Sequence, residues 1–152
     1  MDMKEIDVID EAVIDASPSA VYKAILDEYV GVTNWWMPIL EFKMRGNSLF
    51  CEGAICDIAA RGSGMTAKFS VKVTKILQDK SIELELAGDF LGTEKWTFEP
   101  LDEKTKVQLR WSGKINKPLF SFVATFMKNP AKPHSDAIQK GFKILNSNLC
   151  KK

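Results

Sequence analysis

LFSFVATFMKNPAKPHSDAIQKGFKILNSNL, residues 119–149, is the stretch whose reading decides the fold. In its second half Ile138, Phe142, Leu145 and Leu149 recur at steps of four, three and four, which puts them on one side of a 3.6-residue period. Ahead of them Phe122, Val123, Phe126 and Met127 form a shorter stripe of the same period. The two are separated by Asn129-Pro130 and Pro133, where each proline removes a backbone N–H and biases its predecessor away from helix. The expectation is a helical approach, a break and then a main helix. Ser135 or Asp136 is the expected cap, and Lys140, Lys143, Lys151 and Lys152 bias positive charge toward the far end. A helix with one apolar face is not stable alone in water, so it needs a cover. Nearly everything upstream reads as strand, which makes the cover a sheet.

Working back from that helix, apolar residues alternate with polar ones in six runs after residue 38. Leu40, Phe42 and Met44 oppose Glu41, Lys43 and Arg45, and Gly46-Asn47-Ser48 is the turn. Cys56, Ile58 and Ala60 alternate with Asp57 and Arg61 up to Gly62-Ser63-Gly64. Met65, Ala67, Phe69, Val71 and Val73 make the clearest strand, followed by Ile82, Leu84 and Leu86, then Trp96 and Phe98, then Val107, Leu109 and Trp111. Strict alternation of this kind implies one wet and one apolar face. Upstream, Lys4 to Ala16 reads as a half-buried strand whose alternation slips at Val8-Ile9, where a bulge is expected. Ser17 caps a helix with Pro18 at its first position, and Glu28 to Met37 holds a second short helical turn split by Gly31. The order is therefore strand, helix pair, six antiparallel strands and a long helix, an α+β arrangement in one domain over residues 1–152.

Composition excludes several classes. A 45% hydrophobic and 27% charged chain of 152 residues with a formal net charge of +1 gives no global attraction to nucleic acid. Charge is uneven: residues 1–30 carry eight acidic and two basic side chains, whereas residues 119–152 carry six lysines against Asp136. Two solvated faces account for this, with an anionic partner or membrane surface as the other reading. Three cysteines, Cys51, Cys56 and Cys150, and one histidine, His134, leave a structural zinc site without ligands and suit a reducing compartment. With no signal pattern at Met1 to Glu5 and no apolar run approaching the ~20 residues of a membrane span, a cytoplasmic protein without stable membrane insertion is expected.

Ser17-Pro18, Val21-Tyr22, Ile25, Asp27, Trp35-Trp36 and Pro38 resemble the opening signature of the START-like, or SRPBCC, helix-grip superfamily. Gly53, the Val71/Val73/Ile76 strand with Ser81-Ile82, and Trp96 to Leu101 with Thr105-Lys106-Val107 are similar to its central strands. The resemblance covers almost the whole chain. It implies a curved seven-stranded antiparallel sheet wrapped around the C-terminal helix, with a deep apolar cavity between them. It is specific for fold and poor for function, because this superfamily includes lipid carriers, polyketide cyclases and chaperone activators alike.

On that reading the expected function is binding of a small-to-medium hydrophobic molecule or lipid, as carrier or sensor, with no cofactor and no metal. Trp35, Trp36, Phe69, Trp96, Trp111, Phe122, Phe126, Ile138 and Phe142 are the expected cavity lining, although each is also of the type that fills a core. Trp35-Trp36-Met37 reads either as a gate or as a plug, and Gly141 either lets the helix approach or leaves ligand space. No catalytic constellation is evident, and GxGxxG, P-loop, GxSxG and HExxH motifs are absent. The two candidates for chemistry are His134, read as a surface residue near a helix start, and Glu94. Glu94 shares the inward parity of Trp96, which makes it a desolvated polar anchor or general acid/base, unless the strand starts at Lys95 and leaves Glu94 in the turn after Gly92-Thr93. The enzyme alternative is a polyketide cyclase-like protein using either residue, and the third reading is a chaperone-activator-type interaction module docking through its Lys-rich helix. Ligand identity and oligomeric state are not written in the sequence.

Overall fold

The computed structural model describes residues 5–46, 49–62, 65–116 and 132–150. Strand β1 (Glu5–Ile14) leads into α1 (Pro18–Tyr29), and then come β2 (Leu40–Met44), β3 (Ile55–Gly62), β4 (Met65–Leu77), β5 (Ser81–Gly88), β6 (Phe90–Leu101) and β7 (Lys104–Ile115). The C-terminal helix, α2, spans Lys132–Cys150. All strand pairs are antiparallel, in the order β1-β7-β6-β5-β4-β3-β2. Strands β2 to β7 thus form the expected meander, and β1 returns to pair with β7 at the opposite edge.

The alternation sorts the sheet into two faces. Ile58, Val71, Val73, Ile82, Leu84, Trp96, Phe98, Val107, Leu109 and Trp111 are buried on one, together with Ile138, Phe142 and Leu145 of α2. Period-2 and period-3.6 stripes therefore meet in one core. On the other face Arg110 forks onto Asp7 at 2.9 and 2.8 Å, Arg45 onto Asp57 at 2.8 and 2.6 Å, and Arg61 reaches Glu41 at 2.9 Å. Arg61 and Arg110 are on the wet side, as their parity implied, and such exposed pairs add little stability.

Helix α1 begins as the sequence suggests: Ser17 Oγ accepts from the Ala20 N–H at 3.2 Å, with Pro18 following. Two local expectations are corrected. Among the described residues no second helix follows α1 before the sheet; residues 35–39 form only a turn, closed by the Met37 N–H on Asn34 O at 3.3 Å and the Leu40 N–H on Trp36 O at 3.1 Å and held from α1 by the carboxylate of Glu28. And β1 has no bulge at Val8-Ile9, since its register with β7 runs unbroken from Glu5↔Lys114 to Ile14↔Thr105. What looked like a slip is an acid on the inner face: Ile6, Asp10 and Ile14 are buried while Ile9 and Val13 are exposed. The described irregularity lies instead between Val73 and Lys75, against β5.

Helix α2 starts at Lys132, ahead of the expected caps. Ser135 and Asp136 are inside the helix, the latter paired with Lys132 at 2.9 Å. The helix is tied to β1 and its exit by three side-chain bonds: Ser135 Oγ donates to Asp10 Oδ2 at 3.1 Å, Gln139 Nε2 to Glu11 O at 3.2 Å, and Asn146 Oδ1 accepts from the Asp15 N–H at 2.8 Å. The expected helical approach through Phe122 and Phe126, and most of the break before α2, fall outside the described residues.

Candidate functional site

The inner face divides into a filled end and an end that carries charge. At the filled end Trp36 is wedged under α2. Its backbone N–H donates to Glu28 Oε2 at 2.8 Å, its indole Nε1 donates to Ala137 O at 3.0 Å, and a Cβ built on Gly141 would fall inside the indole. Glu28, itself buried, also accepts from Thr33 Oγ1 at 2.7 Å and the Trp35 N–H at 3.1 Å, so these bonds all serve to hold this turn. Trp35 stacks on Trp36 with centroids 4.9 Å apart. Trp36, Trp96 and Phe142 then meet edge to face at 6.3 and 6.1 Å. Trp96 Nε1 donates to Tyr29 Oη at 3.1 Å, and Ile138 is buried one turn before Phe142. Gly141 is thus the point where the indole of Trp36 meets the helix.

The other end begins at a pair of glycines. Gly92 on β6 stands opposite Gly113 on β7, between the rungs Glu94↔Trp111 and Phe90↔Ile115. Both glycines occupy inward positions, so that rung contributes no side chain to the inner face. A Cβ at either would run into the backbone opposite, which lets the two strands approach closely there. Near this rung, Phe69, Phe90 and Trp111 form a run of tilted rings with centroids 5.0 and 5.1 Å apart. Phe69 and Phe90 are half-buried, whereas Trp111 is buried and donates from Nε1 to Leu91 O at 3.2 Å.

The run ends on His134, whose ring lies 4.7 Å from that of Trp111. His134 is in the first turn of α2 and points at the sheet, contrary to the surface position its sequence neighbours suggested. It stands between two carboxylates: Nδ1 is 3.7 Å from Asp10 Oδ2 on β1, and Nε2 is 3.6 Å from Glu94 Oε2 on β6. Both distances exceed a hydrogen bond and fit an ion pair. Strand β6 starts at Phe90, five residues ahead of Lys95, so Glu94 is in the strand and not in a turn; it is 6% exposed and Asp10 is 5% exposed. The chain therefore brings together both residues singled out for chemistry, and adds Asp10, which the sequence reading passed over. The inward parity of Ile6, Val8, Ala12 and Ile14 was the signal that could have found it. Of the expected cavity lining, Trp36, Trp96, Ile138 and Phe142 lie at the filled end, Trp35 covers Trp36, Phe69 and Trp111 belong to the ring run at the charged end, and Phe122 and Phe126 fall outside the described residues.

No protein-family model matches the chain, and no curated protein matches it in sequence. Solved structures match it in fold. Ginseng major latex-like protein 151 from Panax ginseng is 8% identical and superposes with a TM-score of 0.74 over 96% of this chain and 98% of its own. The protein TTHA0849 from Thermus thermophilus is 18% identical, with a TM-score of 0.73 over 95% and 97%. A START superfamily protein from Mycobacterium smegmatis is 16% identical, with a TM-score of 0.70 over 94% and 96%. This chain has the START-like helix-grip fold. Identities this low establish architecture alone. Within the helix grip, α2 is the gripped helix, β1, β6 and β7 supply Asp10, Glu94 and Trp111, and the first turn of α2 supplies His134.

Electrostatics at this helix-grip interior are one-sided. Burial pulls the His134 pKa down, but the flanking carboxylates of Asp10 and Glu94 outweigh it and hold the value above the ordinary one, so the imidazolium is favoured. Burial pushes the Cys56 thiol up to about 12, which leaves it inert, while Cys51 and Cys150 are exposed. Among the described residues no cluster of histidine, cysteine and carboxylate is arranged to hold a metal, and Asp10 and Glu94 face opposite edges of the imidazole. No described helix is long and apolar enough to cross a membrane. A separate open groove of about 470 Å³ runs along the outer face over Lys43, Ala59, Ser70 and Ala87.

Proposed function

We propose that the protein binds a small-to-medium hydrophobic molecule between the inner face of the sheet and α2, at the end where Phe69, Phe90 and Trp111 lead to His134. The observation that carries this reading is the pairing of a side-chain-free rung, Gly92↔Gly113, with two buried carboxylates and a half-buried imidazole near it, on a largely apolar face. Burying charge costs several kcal/mol per ion before pairing, and a core built only for stability has little use for it. Aromatic walls with a few convergent polar groups are the ordinary composition of a ligand site. The helix-grip fold is compatible with this role and does not specify it. Three unpaired thiols suit a reducing compartment such as the cytoplasm.

One observation favours a second reading: an imidazole held between two carboxylates is also the equipment for moving a proton, which is what a polyketide cyclase-like enzyme requires. In that case Glu94 and His134 act as acid and base on the bound molecule. Native mass spectrometry of protein purified from its own host tests the binding reading, with a stoichiometric small molecule retained as the expected result. A modified form of the same molecule after incubation marks turnover, and repeated recovery of bare protein under conditions that preserve known complexes counts against binding.

A further inference from the structure

The chemistry at the charged end specifies what the polar part of the ligand is. Among the described residues the buried charged side chains are Asp10, Glu28 and Glu94, and no lysine or arginine joins them. Glu28 is occupied by the Trp35 and Trp36 N–H groups and the Thr33 hydroxyl. Asp10 accepts from Ser135 Oγ at 3.1 Å. Glu94 is more than nine-tenths buried and, among the described residues, accepts no hydrogen bond; its charged neighbour is His134 Nε2 at 3.6 Å. His134 Nδ1 is buried without a hydrogen-bond partner. Two carboxylates thus share one imidazole, which can balance the charge of only one of them. A carboxylate in an apolar interior is stabilised by a donor or a positive charge and repels a second anion strongly at low dielectric.

We infer that the ligand presents a hydrogen-bond-donating or cationic group, an amine or hydroxyl, to Glu94, and that carboxylate-headed molecules such as fatty acids are disfavoured. This rests on the binding reading above and narrows it to a ligand class. The aromatic run from Phe69 through Phe90 to Trp111 suits a flat ring system carrying that donor at one edge.

Three naphthalene probes that differ in the head group test it at neutral pH: 1-naphthylmethylamine, 1-naphthalenemethanol and 1-naphthoate, titrated by fluorescence or calorimetry against the full chain. The expected order is ammonium, then alcohol, then carboxylate, with at least roughly tenfold between the first and last. Glu94→Gln should collapse most of that ratio, while Glu41→Gln, on the outer face, should leave it intact; a thermal melt establishes that each variant is folded. The order in the unaltered protein decides the inference even if Glu94→Gln does not fold. A carboxylate that binds as tightly as the ammonium overturns the inference and leaves binding standing. Failure of all three to bind up to their solubility limit contradicts the binding reading and the inference with it.

Discussion

The indole of Trp36 lies against the backbone of Gly141, in the space that a side chain on that helix position would occupy. Two effects oppose each other in Gly141→Ala. Alanine raises helix propensity by up to about 1 kcal/mol, whereas forcing a buried indole aside costs roughly 1–3 kcal/mol. The indole is bonded to Ala137 O and packed against Trp96, so it has nowhere cheap to go. The overpacking term should win, and urea denaturation should show a net loss on the order of 1 kcal/mol or more. A stabilised Gly141→Ala would mean that Trp36 is not wedged under α2.

Glu28 sets that wedge. Glu28→Ala leaves the N–H groups of Trp35 and Trp36 and the hydroxyl of Thr33 without their acceptor. At about 1–3 kcal/mol for each buried group left unsatisfied, the loss should reach about 3 kcal/mol by chemical denaturation. A loss below about 1 kcal/mol would show that the turn holds without it.

The register of β1 is tested by contrast. Ile14 is 1% exposed and Ile9 is 53% exposed. Ile14→Ala should cost about 2–5 kcal/mol and Ile9→Ala well under 1 kcal/mol. Equal losses would put the slip back into the strand and turn Asp10 out to solvent.

These cases show why some of the molecule was legible and some was not. Strand β4 and the Ile138, Phe142, Leu145 stripe were plain because their apolar positions follow one period without interruption. Glu94 was legible as a parity, but Gly92 and Thr93 looked like a turn, and a turn would have ended the strand before it. Asp10 was hidden by the same rule that exposes it, since an inward acid is indistinguishable from a one-residue slip when only polarity is read. His134 was misplaced because both of its partners are remote in the chain, and local sequence offers it nothing but solvent. The contact of Trp36 with Gly141 has the same character: each residue is unremarkable until the other is beside it.

His134 should write a pH dependence into stability. Its folded pKa is raised by Asp10 and Glu94, against burial, above the unfolded value of about 6.5. The groups facing it are Asp10 from β1, Glu94 from β6 and the ring of Trp111 from β7. A raised folded pKa means the native state holds the proton more tightly than the unfolded chain does. The resulting stabilisation is fully present below the unfolded pKa and is lost as pH rises through the folded one. Relative to His134→Gln, the unaltered protein should therefore lose urea stability as pH is raised from about 6.5 upward. A difference that grows with pH over that range would show an imidazole buried neutral.

The most direct measurement of the central claim is a two-dimensional 1H–15N spectrum of the labelled protein titrated with neutral 1-naphthalenemethanol. The indole N–H groups are separate reporters: Trp36 donates to Ala137 O, Trp96 to Tyr29 Oη and Trp111 to Leu91 O. A ligand seated beside the Gly92↔Gly113 rung should shift the Trp111 indole and the amides around Glu94 and His134, with Trp36 and Trp96 moving less. Saturating shifts confined to Ala59, Ser70 and Ala87 on the outer groove, or no shifts at all, would contradict an internal site.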